Sequence, residues 1–135
     1  MLARAYDYAV VRVVPRIDRG EFINAGVVLY CPTARHLAGR MRLDVDRLRV
    51  LAPATDPRPI VRQLEALEAI CAGRADGGPI ASLEPAERFH WIVAPRSAVV
   101  QTSAVHGGTA EDLAGALDHL LRTMVDPCPL APCSA

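Results

Sequence analysis

Apolar residues crowd both faces of two neighbouring segments near the start of the chain, residues 6–14 and 21–31. Such runs are typical of strands that are buried on two sides, and the second run is rich in Val, Leu and Tyr, which favour strands. Pro15 and Pro32 end the runs because proline offers no N–H to a neighbouring strand. The charged residues between the runs predict a hairpin turn. Gly26 inside the second run predicts a β-bulge or a close backbone approach.

The pattern then changes to one half-exposed strand followed by helical spacing. Residues 36–43 alternate between apolar and charged side chains, which predicts a strand with one exposed face. A short helical turn is expected to end at Leu51. Residues 57–72 then repeat apolar side chains at helical spacing between an Asp56 cap and Gly73, which predicts a long helix.

The last part of the chain predicts a second helix over residues 83–92, a strand over 97–103 and a final helix capped by Thr109. The main elements thus follow the order β-β-β-α-α-β-α. This order predicts the α+β class, with a mainly antiparallel sheet of about four strands and the helices packed on one face. One domain over residues 1–126 and a flexible proline-rich tail over 127–135 complete the predicted organisation.

Composition and charge exclude several kinds of chemistry. Of the 135 residues, 51% are hydrophobic and 22% are charged, and 15 basic residues balance 15 acidic ones. Because the net charge is zero and no helix-turn-helix with a basic second helix is apparent, nucleic-acid binding is not expected. All the basic residues are arginine, so Schiff-base lysines and phosphate-loop lysines are excluded.

The sequence also gives expectations about compartment and cofactors. It shows neither a signal peptide nor an apolar run of ~20 residues, so a cytoplasmic protein with reduced cysteines is expected. Cys128 and Cys133 have no histidine near them in sequence, and the histidines lack the spacing of metal ligands. Neither a metal nor a cofactor is predicted.

The hairpin holds the first candidate site. If its turn centres on Asp18, Arg12 lies opposite Asn24 and the two side chains share one face of the sheet. Glu21 opens the second strand with the other parity. Arg12, Glu21 and Asn24 then form a polar cluster that binds a ligand or a partner. The alternative is a hydrogen-bond network that only holds the hairpin together, since a buried charge needs partners whether or not it has a function.

Arg88 and His90 belong to the second candidate, on the predicted helix over residues 83–92. Arg88 and Arg96 carry the forked donors that suit phosphate, and His90 is a candidate general base. The alternative is a surface helix whose aromatic side chains pack inward and whose charges are solvated.

The third candidate is His106 with Gly107 and Gly108, expected in a loop before the final helix. Glycines before a helix N-terminus can present N–H groups to an anion, and Gln101 on the preceding strand could point into the same pocket. The alternative is an ordinary loop with Thr109 as the cap. No nucleotide-binding glycine motif is present.

Two blocks of sequence carry a family resemblance. The first is Tyr6-Asp7-Tyr8, Pro15 and Glu21-Phe22-Ile23-Asn24-Ala25-Gly26-Val27-Val28; the second is Arg88-Phe89-x-Trp91, Ala94-Pro95-Arg96-Ser97, Val100-Gln101 and His106-Gly107-Gly108. Together they resemble an uncharacterised bacterial family, the domain-of-unknown-function family numbered 3037. That family has no established activity. Its members are often encoded beside a kinase resembling the HipA toxin kinases, so the resemblance implies a small partner or accessory protein.

Two interpretations of function therefore stand side by side. One is a non-enzymatic interaction protein, in which an edge of the hairpin could pair with a partner strand. The other is a small enzyme or an anion- or nucleic-acid-binding protein that uses Glu21, Asn24, Arg88, Gln101 and His106. Convergence of these side chains in one pocket would favour the second interpretation, and scattered side chains bonded to backbone would favour the first.

Overall fold

The computed structural model describes residues 2–127, and these form a sheet flanked by helices. The elements in chain order are β1 (Arg4–Val13), β2 (Ile23–Cys31), β3 (His36–Met41), α1 (Val45–Leu51), α2 (Pro57–Ala72), α3 (Pro85–Val93), β4 (Val100–Thr102), β5 (His106–Ala110) and α4 (Leu113–Met124). Two short 3-10 turns, Ala75–Gly77 and Pro79–Ser82, link α2 to α3. The predicted α+β class and mainly antiparallel sheet are confirmed.

The sheet is centred on β1 and β2. Its strand order is β3-β2-β1-β4, and β5 pairs with the first half of β1 while β4 pairs with the second half. All these pairings are antiparallel. Because β1 and β2 both have neighbours on their outer sides, the hairpin offers no free edge to a partner strand. That part of the interaction hypothesis is wrong.

Helices cover both faces of the sheet, which corrects the prediction that they pack on one face. One core lies between the sheet and α1, α2 and α3, and includes Val11, Val28, Leu64 and Phe89. A second core lies between β2 and α4 and includes Val27, Leu29, Cys31 and Leu121. Alternate residues of β2 thus enter different cores, as its two-sided apolar pattern requires. Among the helices of residues 2–127, none has the length and apolarity needed to cross a membrane.

The ends of α2 follow the predicted chemistry, whereas α3 begins at Pro85 rather than at the predicted residue 83 and the last helix lacks its predicted cap. The Asp56 side chain accepts a hydrogen bond from the Arg58 N–H at the start of α2, and Gly73 ends that helix with a φ of 70°. The final helix begins at Leu113, so Thr109 is not its cap. Thr109 lies in β5, opposite Ala5 of β1. The proline-rich tail predicted for residues 127–135 lies, beyond Pro127, outside the described residues.

A β-bulge interrupts the hairpin next to Arg12. Val11 pairs with Gly26 and Arg12 pairs with Asn24, so Ala25 is the extra residue. Gly26 is also a point of close approach, since a Cβ there would lie 2.3 Å from the Met41 Sδ and 2.9 Å from the Arg40 carbonyl oxygen. Both readings of Gly26 are therefore correct, and the predicted pairing of Arg12 with Asn24 is observed.

Candidate functional site

A polar cleft opens beside the bulge, where the hairpin meets the strand after β4 and the end of α4. It is lined by Tyr8, Val10, Arg12, Phe22, Asn24, Ser103, His106 and Met124 and has a volume of about 270 Å³. We call it the Arg12 cleft. It brings together three of the predicted site residues, Arg12, Asn24 and His106, from separate parts of the chain.

Arg12 carries the charge of the cleft. Its guanidinium carbon lies 4.2 Å from the centre of the Phe22 ring, so the aromatic ring covers one face of the group. Within residues 2–127, the Nε atom is buried and has no hydrogen-bond partner. In the same part of the chain nine arginines form ion pairs with Asp or Glu, and Arg12 is not among them. A buried donor without a partner is unusual and calls for an explanation.

Asn24 supplies the matching acceptor. Its Nδ2 donates to the Met124 carbonyl oxygen over 2.9 Å, which fixes the orientation of the amide at the end of α4. The Oδ1 atom on the other side of the amide is buried and has no partner among residues 2–127. Arg12 and Asn24, which pair directly across the hairpin, thus each keep one buried polar atom unbonded within this part of the chain.

Rings and apolar side chains form the walls of the cleft. The Tyr8 and His106 rings lie 5.5 Å apart between centroids, and His106 is exposed. Phe22 and Met124 are 44% and 41% exposed, which is high for such large apolar groups. Ser103 is already engaged, because its Oγ accepts from the Val10 N–H and donates to the Ala104 carbonyl oxygen.

Glu21 does not belong to the cleft. It precedes β2 and forms an exposed ion pair with Arg19, beside Leu51 and Thr55 in a separate hollow. The predicted cluster of Arg12, Glu21 and Asn24 is therefore reduced to Arg12 and Asn24. Glu21 pairs within the turn because Arg19, its partner, is only two residues away.

Arg88 is bonded to backbone at the end of α2. Its Nη1 donates to the carbonyl oxygens of Ile70 and Cys71 over 2.7 and 2.8 Å. Its Nε donates to the carbonyl oxygen of Leu83 over 2.9 Å. The carbonyl groups of Ile70 and Cys71 belong to the last turn of α2, where Ile70 also accepts from the Gly73 N–H, so Arg88 acts as a helix cap. It does not meet the other candidates.

Gln101 and Arg96 lie around another hollow, of about 190 Å³, next to Trp91. Gln101 pairs with Arg12 along the backbone, but its Nε2 donates to the Ala98 carbonyl oxygen over 2.6 Å. The Arg96 guanidinium stacks 4.8 Å from the centre of the Trp91 ring and donates to carbonyl groups at the end of α3. His90 is exposed on the same helix. These groups are separate from the Arg12 cleft.

The expected anion loop at His106 is a strand. His106, Gly107 and Gly108 pair with Tyr8, Asp7 and Tyr6 of β1, so they do not lead into a helix. Gly108 serves packing, because a Cβ there would lie 2.6 Å from the Tyr6 hydroxyl oxygen. The prediction of an anion site at a helix N-terminus is wrong, while His106 itself reaches the Arg12 cleft from the strand.

Five lining residues were not predicted as site residues, namely Tyr8, Val10, Phe22, Ser103 and Met124. Tyr8 and Val10 could have been found, since they share strand parity with Arg12 and so face the same side of β1. The others come from the turn, the segment after β4 and α4, whose meeting depends on the tertiary fold. Within residues 2–127, no group of three or more His, Cys, Asp or Glu side chains could hold a metal ion.

Comparison with known proteins gives a family and no function. No curated protein and no solved structure matches the chain. A family model described as a protein of unknown function, DUF3037, matches residues 8–125. The matched segment contains the hairpin from Tyr8 onward, the Arg12 cleft and helices α1 to α4. The chain therefore belongs to the DUF3037 family.

Proposed function

We propose that this protein is a non-enzymatic interaction protein that recognises its partner through the Arg12 cleft. The observation that carries the proposal is the pair of buried polar atoms without partners, Arg12 Nε and Asn24 Oδ1. Leaving such atoms unbonded costs about 1–3 kcal/mol each, more for a charged group. A partner that bonds to both atoms recovers this energy on binding.

The rim of the cleft supports a protein partner. Arg, Tyr, Phe and Met are enriched at protein interfaces, and energetic hot spots favour Tyr and Arg in particular. Arg12, Tyr8, Phe22 and Met124 bring these residue types together around one opening.

The state of the other candidates favours binding over catalysis. Arg88 and Gln101 are bonded to backbone carbonyl groups, Glu21 is paired with Arg19, and the Ser103 hydroxyl is engaged on both sides. The alternative, a small enzyme or an anion- or nucleic-acid-binding protein with a pocket between the hairpin and residues 88–108, keeps only Asn24 and His106 of its proposed groups in the Arg12 cleft. Its anion-binding form is favoured by the unpaired charge of Arg12.

The family resemblance makes a HipA-like kinase the first partner to test. The proposal is that the kinase presents an acceptor group to Arg12 and a donor group to Asn24.

The test is a pull-down from lysate of the organism that encodes the chain, followed by mass spectrometry. Wild-type protein is compared with Arg12→Gln and with the control Arg58→Gln, which removes an exposed arginine paired with Asp56 at the start of α2. We expect one dedicated protein, the kinase if the resemblance holds, to be retained by the wild type and the control and lost from Arg12→Gln. The same proteins on all three baits would refute a role for the cleft.

A further inference from the structure

We infer that the Arg12 cleft binds an α-carboxylate whose neighbouring carbon carries an N–H, as at the C-terminus of a peptide or in a free N-acylated amino acid. The inference rests on the proposed function only in using the same cleft, because it concerns the chemistry of the ligand. Three observations support it: the unbonded Nε–H of Arg12, the unbonded acceptor of Asn24 on the residue paired with it, and the size and walls of the cleft.

The guanidinium is placed to bind a planar anion. The Phe22 ring centre lies 4.2 Å from the Arg12 guanidinium carbon, so the ring takes part of the surface of the group and leaves the donors for a ligand. The Nε–H is buried and unbonded within residues 2–127, and together with an Nη donor it forms a fork that matches the two oxygens of a carboxylate. The inference requires that the side chain turns this fork towards the cleft on binding. The match does not depend on any other charged residue.

Asn24 Oδ1 decides against an anion that offers acceptors only. It is an acceptor next to the guanidinium, and its orientation is fixed because the amide nitrogen is bonded to the Met124 carbonyl oxygen. A phosphate dianion would set its oxygens against Oδ1 and would find only one arginine among the residues that line the cleft. An α-carboxylate with an adjacent N–H satisfies both sites, since its oxygens accept from Arg12 and its N–H donates to Asn24.

The dimensions of the cleft fit a group of about one amino acid. Its volume of about 270 Å³ lies just below the ~300–1,000 Å³ typical of pockets for drug-sized ligands. The exposed rings and chains of Phe22, Met124 and Tyr8 at the rim offer apolar contact to the side chain of the bound residue.

The experiment uses small probes on the full chain. We would titrate N-acetyl-L-leucine, its methyl ester, 4-methylpentanoate and inorganic phosphate by calorimetry and by NMR of the Arg12 Nε–H and the Asn24 side-chain amide. The ester removes the carboxylate and 4-methylpentanoate removes the N–H. We expect N-acetyl-L-leucine to bind at least tenfold more tightly than each of the other three and to shift both side-chain signals.

A second arm separates the two sources of this chemistry. A pentapeptide ending in leucine, with a free or an amidated C-terminus, is compared with N-acetyl-L-leucine. Tighter binding of the free-acid peptide assigns the site to a polypeptide C-terminus, and equal binding assigns it to a small amido acid. The Arg12→Gln variant should lose at least tenfold in affinity for the preferred probe, whereas the Arg58→Gln control should keep it.

Three results would each overturn the inference. In the first, neither N-acetyl-L-leucine nor the free-acid peptide binds at millimolar concentration. In the second, the acid and its ester bind equally, and in the third, phosphate binds as tightly as the acid or more tightly. Because the decisive comparisons are made on wild-type protein, a variant that fails to fold does not affect them. An Arg12-dependent protein partner with no probe binding would sink the inference and leave the proposed function standing. Probe binding without an Arg12-dependent protein partner would support the inference and refute the proposed function.

Discussion

Arg12 and Arg88 are both arginines set among apolar elements, and the structure uses them in opposite ways. Arg88 donates to three backbone carbonyl groups at the ends of α2 and of the loop before α3. Arg12 lies on an aromatic ring with its Nε buried and unbonded. The sequence presents them alike, as arginines in segments that otherwise build the core.

The difference teaches that a polar residue in an apolar segment is a candidate site only if its hydrogen-bonding groups remain free. Arg88 completes the end of a helix, so its conformation is explained by the fold alone. Arg12 has no such explanation within residues 2–127, and the same is true of Asn24 Oδ1. Substituting Arg88 should therefore lower the free energy of unfolding, whereas substituting Arg12 should abolish binding and change stability little.

The largest effect is expected for Arg88→Met, which keeps an unbranched apolar stem and removes the donors. Three carbonyl groups lose a charged donor, and hydrogen bonds to charged groups contribute about 1.5–3 kcal/mol each with incomplete additivity. We expect the free energy of unfolding, measured by urea denaturation, to fall by about 3 kcal/mol. The control Arg58→Met, at an exposed site, should change it by less than about 0.5 kcal/mol. Equal losses would contradict the capping role of Arg88.

The next effect concerns the bulge that sets Arg12 opposite Asn24. In Gly26→Ala the new Cβ would meet the Met41 Sδ and the Arg40 carbonyl oxygen, so β2 and β3 must separate. We expect a loss of about 2 kcal/mol in the free energy of unfolding, with altered NMR shifts for Arg12 and Asn24.

Gly107→Ala is the matched control for Gly26→Ala, because it is also a strand glycine of the same sheet. The nearest atom to its new Cβ would be the Tyr6 carbonyl oxygen at 3.9 Å, an ordinary contact. Its stability should change by less than about 0.5 kcal/mol. If both substitutions lower the free energy of unfolding by the same amount, the close approach at Gly26 is not what constrains the bulge.

Local chemistry made much of the fold predictable. The two-sided apolar runs, the Asp56 cap and Gly73 each identified an element or its end, and the register of Arg12 with Asn24 followed from the hairpin turn. The predicted arrangement places the helices on one face of the sheet, although the pattern of β2 indicates two. A strand that is apolar on both sides needs helices or strands packed against both sides.

The candidate site was less predictable because it depends on long-range contacts. Sequence reasoning found Arg12, Asn24 and His106, whose residue types were unusual for their segments. It could not foresee that the Met124 carbonyl oxygen would take the Asn24 amide from 100 residues away. Nor could it foresee that Gly107 and Gly108 would lie in a strand, where Gly108 makes room for the Tyr6 ring.

A smaller effect on stability tests whether water reaches the buried Cys71 thiol, which lies near the Arg88 charge. Burial raises the pKa of the Cys71 thiol to about 12, and the Arg88 charge opposes this rise with a smaller influence. In the unfolded chain the thiol ionises near ~8.5, so above that pH the unfolded state loses a proton that the folded state keeps. Stability should therefore fall as pH rises from ~9 to 10, with Cys71 contributing about 1 kcal/mol.

The measurement for Cys71 is the free energy of unfolding at pH 8, 9 and 10 for wild type and Cys71→Ala. The substitution should lower stability at pH 8, since it removes buried volume, and should make the decline towards pH 10 shallower. Parallel declines in the two proteins would show that the thiol ionises equally in the folded and unfolded states, and that this region is open to water.

The smallest effect on stability, and the sharpest test of the comparison, is Arg12→Met. The change removes the stacking of the guanidinium on Phe22, which contributes about 0.5–1 kcal/mol, but it also removes a buried donor without a partner. The two effects oppose each other, so we expect the free energy of unfolding to change by no more than about 0.5 kcal/mol. Binding of N-acetyl-L-leucine or of the captured partner should be lost. A loss of stability as large as that of Arg88→Met would mean that Arg12 is a structural residue like Arg88, and the cleft would no longer be a candidate site.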